Sequence, residues 1–294
     1  NSIFFNGKLW VMGGADITSS PNDLWSSTDG VTWSLVATLP QFQSTDLTRL
    51  AVFKGNLIVV EGWTGSLWSS ADGVSWGAPI VTNAPWAERS GFGLVTFKDK
   101  LWVVGGSTSG TAGYANDLWT WDGNTPAVWV HEDAQPGIFY PGIQDAPWAP
   151  RSSSEVLVHN NYLYVIGGDT LASGAGVVFH DIWRSADGVT NWTNVGNLPW
   201  SLTLPETEYR AVSLNGKLII TAGWNAFNIN FYNDSWVWDS KFPMIWNQYI
   251  APWSPRMSHT LAVTPATFGP KPDLVIYSIN TTNGQCTTVP GSFC

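Results

Sequence analysis

The sequence predicts an all-β fold: a single β-propeller domain spanning residues 1–294, with six blades that are each a four-stranded antiparallel sheet. Three observations predict it. A strand-rich unit recurs roughly every 45 to 60 residues, each unit carries its own hairpin turn signals, and the 20 tryptophans fall at fixed places within the unit. The units run about 1–40, 41–83, 84–135, 136–199, 200–250 and 251–294, with the first and last incomplete.

The elements follow in order. Ser2-Ile3-Phe4-Phe5 reads as the tail of a first strand whose start, with its arginine, is missing. Its return strand, Lys8 to Gly14, ends on a glycine pair, as do Leu101 to Gly106 and Leu163 to Gly168. Val60-Glu61-Gly62-Trp63 and Thr221-Ala222-Gly223-Trp224 are the variants of repeats 2 and 5. After a variable loop, a third strand carries Asn22-Asp23-Leu24-Trp25, Asn116-Asp117-Leu118-Trp119, His180-Asp181-Ile182-Trp183 or Asn233-Asp234-Ser235-Trp236. A turn such as Asp29-Gly30 or Asp72-Gly73 then leads to a second tryptophan, because Gly accepts positive φ without steric cost. Ten tryptophans thus form the pairs Trp25/Trp33, Trp68/Trp76, Trp119/Trp129, Trp183/Trp192 and Trp236/Trp246, expected to be core between neighbouring blades. The sixth copy starts at Ala251-Pro252-Trp253-Ser254-Pro255-Arg256 and reaches Leu274 to Tyr277. It then loses both the glycine pair and the tryptophan pair.

The order Arg, apolar strand, turn, apolar strand, Gly-Gly, variable loop, Asn-Asp-x-Trp, turn, Trp resembles the kelch repeat. The resemblance covers essentially the whole chain. It implies four antiparallel strands per blade around a central channel, and six repeats of about 49 residues fill the 294. The last blade would be completed by the C-terminal tail or by residues outside this chain.

Composition excludes several classes. Hydrophobic residues reach 44%, enough for a large core, whereas charged residues are only 12%, so Ser, Thr, Asn and Gly must dress the surface. A net charge of −9 and a pI near 4.7 argue against nucleic-acid binding, which needs a basic stripe. No apolar run approaches the roughly 18 residues that span a bilayer. Starting at Asn1 without Met, the sequence reads as a processed mature chain or a fragment. Cys286 and Cys294, eight residues apart in a Gly/Pro/Thr-rich tail, are expected to close a short disulfide loop.

Catalytic signals are missing, and no cofactor or metal site is expected. Galactose oxidase also carries a kelch-type propeller, but its copper-radical chemistry needs a Tyr–Cys cross-link. Both cysteines here lie in the tail, and His131, His159, His180 and His259 lack ligand spacing. Ser27 to Trp33 and Ser70 to Trp76 are similar to the sialidase Asp-box, one residue short, and such boxes are structural hairpins. No pair of carboxylates at catalytic spacing stands out. Gly-Gly here is not followed by a phosphate-loop signature.

Five of the six arginines fall early in a repeat. Arg89, Arg151 and Arg256 share a Pro-Trp-x-x-Arg context, whereas Arg49 and Arg210 lie four residues nearer their hairpin turn. An even offset puts all five on one face of a strand, where a ring of guanidiniums would bind carboxylate or phosphate. The competing expectation is that each satisfies loop carbonyls and acids of the neighbouring blade. The turn at Lys54-Gly55 also sets Arg49 opposite Val60 or Glu61, which predicts an Arg49–Glu61 pair.

The function read from these features is a non-enzymatic, extracellular protein- or glycan-binding platform, or a self-associating structural subunit of a surface assembly. The alternative is a carbohydrate-active enzyme on the same fold, resembling sialate mutarotase or galactose oxidase. An intracellular kelch adaptor fits less well, given the sequons at Asn191, Asn280 and Asn233 and the terminal cysteine pair. Asn233 is the weakest acceptor because it occupies the Asn-Asp-x-Trp position. Partners are expected on the face bearing the loops Ser107 to Ala115, Asp169 to Phe179 and Asn225 to Tyr232, which hold Tyr114, Phe179, Phe227, Phe231 and Tyr232.

Overall fold

The computed structural model describes residues 1–13, 23–38, 47–86, 88–109, 113–124, 128–132, 145–171, 176–200, 206–225, 230–251, 254–255, 259–265 and 273–277. Among these the regular elements are all strands, paired antiparallel. Blade 1 orders β1 (Ser2–Phe5), β2 (Lys8–Met12), β3 (Asp23–Ser27) and β4 (Ser34–Thr38). Blade 2 has β5 (Thr48–Phe53), β6 (Asn56–Glu61) and β7 (Leu67–Ser70), with one bridge from Leu67 to Val81 outside them. Blade 3 has β8 (Arg89–Ser90), β9 (Gly93–Phe97), β10 (Lys100–Thr108), β11 (Tyr114–Trp121) and β12 (Val130–His131). Blade 4 runs β13 (Glu155–His159), β14 (Tyr162–Asp169), β15 (Val178–Ser185) and β16 (Thr193–Asn197). Blade 5 runs β17 (Arg210–Leu214), β18 (Lys217–Asn225), β19 (Asn230–Trp238) and β20 (Trp246–Ile250).

The described residues therefore make five blades, not the six expected, and the blades are not uniformly four-stranded. The sixth repeat contributes a two-stranded sheet, β21 (Thr260–Thr264) with β22 (Asp273–Tyr277). Its sequence has neither the Asp-x-Trp strand of repeats 1, 3, 4 and 5 nor the Asp-Gly turn of repeats 1 to 4. The innermost strands succeed one another around a channel, and β21 lies between β17 and β1. Ser2 Oγ and Thr260 Oγ1, 2.6 Å apart, join the first and sixth repeats there. A cavity of about 360 Å³ occupies this channel, walled by Ile3, Leu50, Val52, Leu94, Leu261 and Val263 among others.

The core sits between blades, because each sheet is apolar on both faces and must bury both against neighbours. Phe5, Trp10 and Leu24 of blade 1 pack on Leu50, Leu57 and Trp68 of blade 2, and equivalent clusters join blades 2 to 3, 3 to 4 and 4 to 5. Of the ten paired tryptophans, Trp68 and Trp129 are buried and the others half-buried; the fully buried indoles are Trp10, Trp102 and Trp238. In four of the five pairs the first tryptophan is held at its polar edge. Its indole N–H donates to the Asp two residues earlier in Trp25, Trp119, Trp183 and Trp236, at 2.7–2.8 Å.

The turns behave as their sequence requires. In the Asp-box-like hairpins Asp29, Asp72 and Asp187 each accept two backbone N–H groups, and a serine hydroxyl (Ser27, Ser70, Ser185) accepts the glycine N–H. These donors hold the Asp29 and Asp187 carboxyls down at about 2, against the burial that would raise them. In blades 2 and 4 the turn glycine also receives a neighbouring blade's indole. A Cβ on Gly73 would run into the Trp10 ring, and one on Gly188 would lie 2.5 Å from Trp102. Gly7 has nearly the same φ as Gly73, +73° against +78°, but open space where a Cβ would be. Gly7→Ala is therefore expected to cost only the left-handed penalty of about 1 kcal/mol, and Gly73→Ala about 2–4 kcal/mol. Urea denaturation of the two variants checks this, and equal losses would show that the indole contact contributes nothing.

Candidate functional site

The arginines divide into two kinds, and the division builds the site. Arg89 and Arg151 are buried, each locked in its own blade. Arg89 places Nη1 and Nη2 on the two oxygens of Asp117, at 2.7 and 2.8 Å, and Nη1 also donates to the Gly105 carbonyl. Arg151 does the same with Asp181, at 2.5 and 3.0 Å, and with Gly167. The Asp is the one that holds the tryptophan, so Arg, Asp and Trp form a clamp tying the start of a repeat to its third strand. Arginine's hydrogen bonds and charge hold Asp117 and Asp181 below the usual carboxylate range although burial pulls the other way. The carboxylate thus belongs to the arginine's own blade, not to its neighbour as expected.

Arg49 and Arg210 go elsewhere. Arg210 is the first residue of β17 and Arg49 the second of β5, and both stand at the channel mouth at the register position that Gly93 and Glu155 hold in blades 3 and 4. Arg49 donates to the Phe92 carbonyl at 3.0 Å, and Arg210 reaches Glu155 at 3.4 Å. Glu155 accepts the Ala211 N–H as well, and burial pushes its carboxyl up despite Arg210. The single-face ring of guanidiniums is therefore not formed. In repeats 3, 4 and 5 a residue with positive φ separates the first arginine position from the inner strand, Gly91 at +61°, Ser153 at +57° and Glu208 at +53°. That turn breaks the strand alternation on which the even-offset argument relied. The Arg49–Glu61 pairing fails for a related reason: the register sets Arg49 opposite Val60 and Thr48 opposite Glu61, so the two side chains leave opposite faces. Glu61 accepts the Thr64 hydroxyl.

Blade 5 departs from the clamp. Ser152 and Thr207 hold the same place, each bridged to the residue after the glycine (Asp169, Trp224), so Glu206 stands where Arg151 stands in blade 4. Its partner position is Asp234, giving two buried carboxyls, 4% and 5% exposed, where blades 3 and 4 have an ion pair. Asp234 Oδ2 accepts Trp236 Nε1 at 2.8 Å and Gln248 Nε2 at 3.0 Å. Asp234 Oδ1 and Glu206 Oε2 are buried without a hydrogen-bond partner. Burial first, and then the Asp234 charge, push the Glu206 carboxyl up to about 8. Tyr232, half-buried, adjoins Asn225 and both carboxyls, and burial and the Glu206 charge raise its hydroxyl. The sequence by itself singles out no carboxylate pair, and this one comes from the structure. Aligning the repeats on Ser90, Ser152 and Thr207 would have exposed Glu206 in the arginine column.

The other expected residues are placed as follows. Phe179 is half-buried with the Arg151 guanidinium 4.0 Å from its ring centre, so it covers the clamp. Tyr114 is half-buried at the start of β11. Phe231 is exposed and stacks on Trp224, with centroids 6.1 Å apart and planes at 19°. Asn191 is exposed on its hairpin, whereas Asn233 spends its amide on the Ala251 carbonyl at 3.1 Å, as Asn116 does on Ala146 and Trp148. Arg256, Phe227, Asn280, Cys286 and Cys294 lie outside the described residues. Among the described residues no three His, Cys, Asp or Glu side chains gather as a metal site, and no helix is long and apolar enough to cross a membrane.

No protein-family model matches the sequence, and no curated protein matches it. Among solved structures it is similar to one described as "Structure of YjhT", with a TM-score of 0.62 and 16% identical residues over 84% of this chain and 82% of that one. The fold is that of a kelch-type β-propeller. At this identity the likeness speaks for the fold alone.

Proposed function

We propose that this chain is a non-enzymatic, extracellular binding platform whose protein or glycan partner engages the mouths of the blades on the side where the inner strands begin. The observation that carries this reading is the Trp224–Phe231 stack, which sets the exposed Phe231 ring on the half-buried Trp224 at the β18–β19 mouth of blade 5. Stacked aromatics present large area at low entropic cost, and such residues dominate binding energy at interfaces. Phe231→Ser should weaken glycan-array binding or self-association by at least about tenfold, equivalent to about 1.4 kcal/mol, while leaving the melting temperature nearly unchanged. A large stability loss with binding intact would make the stack a core lid and sink the reading.

Extracellular placement is part of the proposal, and Asn191 supplies its test. The side chain is exposed, and its Nδ2 donates only locally, to Thr190 Oγ1 at 2.9 Å, so the amide is available to a transferase. Intact-mass and peptide analysis of protein from its native source should find a glycan at Asn191. An unmodified Asn191 peptide would remove that support. The alternative, a carbohydrate-active enzyme, is favoured by one feature, the Glu206–Asp234 pair, since a carboxyl held protonated beside a second one is an acid–base arrangement.

A further inference from the structure

The internal repeats show what the blade 5 cleft lacks. In blades 3 and 4 the clamp aspartate has both oxygens taken: Oδ2 by the tryptophan N–H and arginine Nη2, and Oδ1 by arginine Nη1. In blade 5 Oδ2 keeps its tryptophan and gains Gln248, while Oδ1, the oxygen that takes Nη1 elsewhere, has no donor. Opposite it, Glu206 supplies a second acceptor with an unpartnered oxygen, at the same 28-residue separation that joins Arg89 to Asp117. The place that holds a guanidinium in blades 3 and 4 is thus lined in blade 5 by two carboxyls, neither of which has an arginine partner among the described residues.

We propose that Glu206 and Asp234 form a binding site for a cationic group of the guanidinium or primary-ammonium class, seated where the internal arginine lies in blades 3 and 4. The proposal rests on the loop face being the binding face, and it names the ligand chemistry of that face. Two buried acceptors without a donor, near enough that the charge of Asp234 raises the Glu206 carboxyl, cost free energy until a donor joins them. A planar cation with parallel N–H groups meets that need bidentately, which also favours guanidinium over a point charge. Among the described residues the titratable groups facing Glu206 are Asp234 and Tyr232, both of β19, so binding should displace the Glu206 proton.

The test uses methylguanidine, with N-methylurea as its neutral isostere, by calorimetry on the full chain. Wild type should bind methylguanidine and not N-methylurea, with affinity rising about tenfold per pH unit up to about 8 and then levelling. Glu206→Gln and Asp234→Asn should each weaken binding at least tenfold with an unchanged circular dichroism spectrum. Glu206→Arg should abolish it while raising the melting temperature, because it restores the clamp from within. Equal binding of the two probes, no binding above the Glu206 titration, or binding indifferent to Glu206→Gln would each overturn the site. Phe231→Ser separates the two readings: methylguanidine binding retained there isolates the cation cleft, whereas loss of glycan or self-association without loss of methylguanidine concerns the aromatic platform alone.

Discussion

Replacing Arg151 by Met is expected to remove about 3–5 kcal/mol of stability, because it leaves the Asp181 carboxylate half-enclosed with no countercharge. The arginine is 2% exposed, so water cannot take its place. Arg151→Lys should recover little, since an ammonium cannot bridge both Asp181 oxygens and the Gly167 carbonyl with the same fork. The sign of the pH dependence follows from the lowered Asp181 pKa. In wild type this pair stabilises above the unfolded value near 4, and its contribution is lost as pH falls through the lower folded value. In the variant the carboxyl protonates more readily, so the deficit should shrink on acidification. Urea denaturation across pH measures this, and a deficit constant down to acid pH would place the arginine's role in packing rather than charge. Pairing Arg151→Met with Asp181→Leu should restore most of the loss, as removal of both partners leaves nothing unpaired.

Wild-type stability is expected to fall as pH rises from about 4.5 to about 8, and Glu206→Gln should abolish most of that slope. Here the folded pKa is raised, so the folded chain holds a proton that the unfolded chain has released over that window. Each pH unit of mismatch is about 1.4 kcal/mol, and the whole window amounts to on the order of 3–5 kcal/mol. The residue is 4% exposed, so solvent screens this little. Thermal melts of wild type and Glu206→Gln at matched ionic strength should therefore coincide near pH 4.5 and separate progressively toward pH 8, with the variant more stable. Parallel curves would show that Glu206 ionises without penalty. The same measurement in saturating methylguanidine should narrow the gap, because a bound cation favours the ionised pair.

The repeats, the hairpin turns and the Asp-x-Trp strands were legible in the chain because their physics is local. Asp29 acts on Val31 and Thr32, Trp119 on Asp117, and Gly30 supplies a φ of +75° within its own turn. Period-2 strands joined by such turns leave a propeller as the economical way to bury two apolar faces. What the sequence left open was every feature that depends on where one segment meets a distant one. A single left-handed residue, Gly91 after Arg89 and Ser153 after Arg151, turned these two arginines inward, whereas Arg49 and Arg210 stand on the inner strands at the channel. Which indoles became fully buried was set by the facing blade, as Trp10 shows against Gly73. The meeting of Glu206 with Asp234 was likewise a tertiary outcome: neither residue is unusual in its own stretch, and the conflict exists only because the blade brings two carboxyls into a place shaped for an ion pair, where low dielectric makes their charge costly.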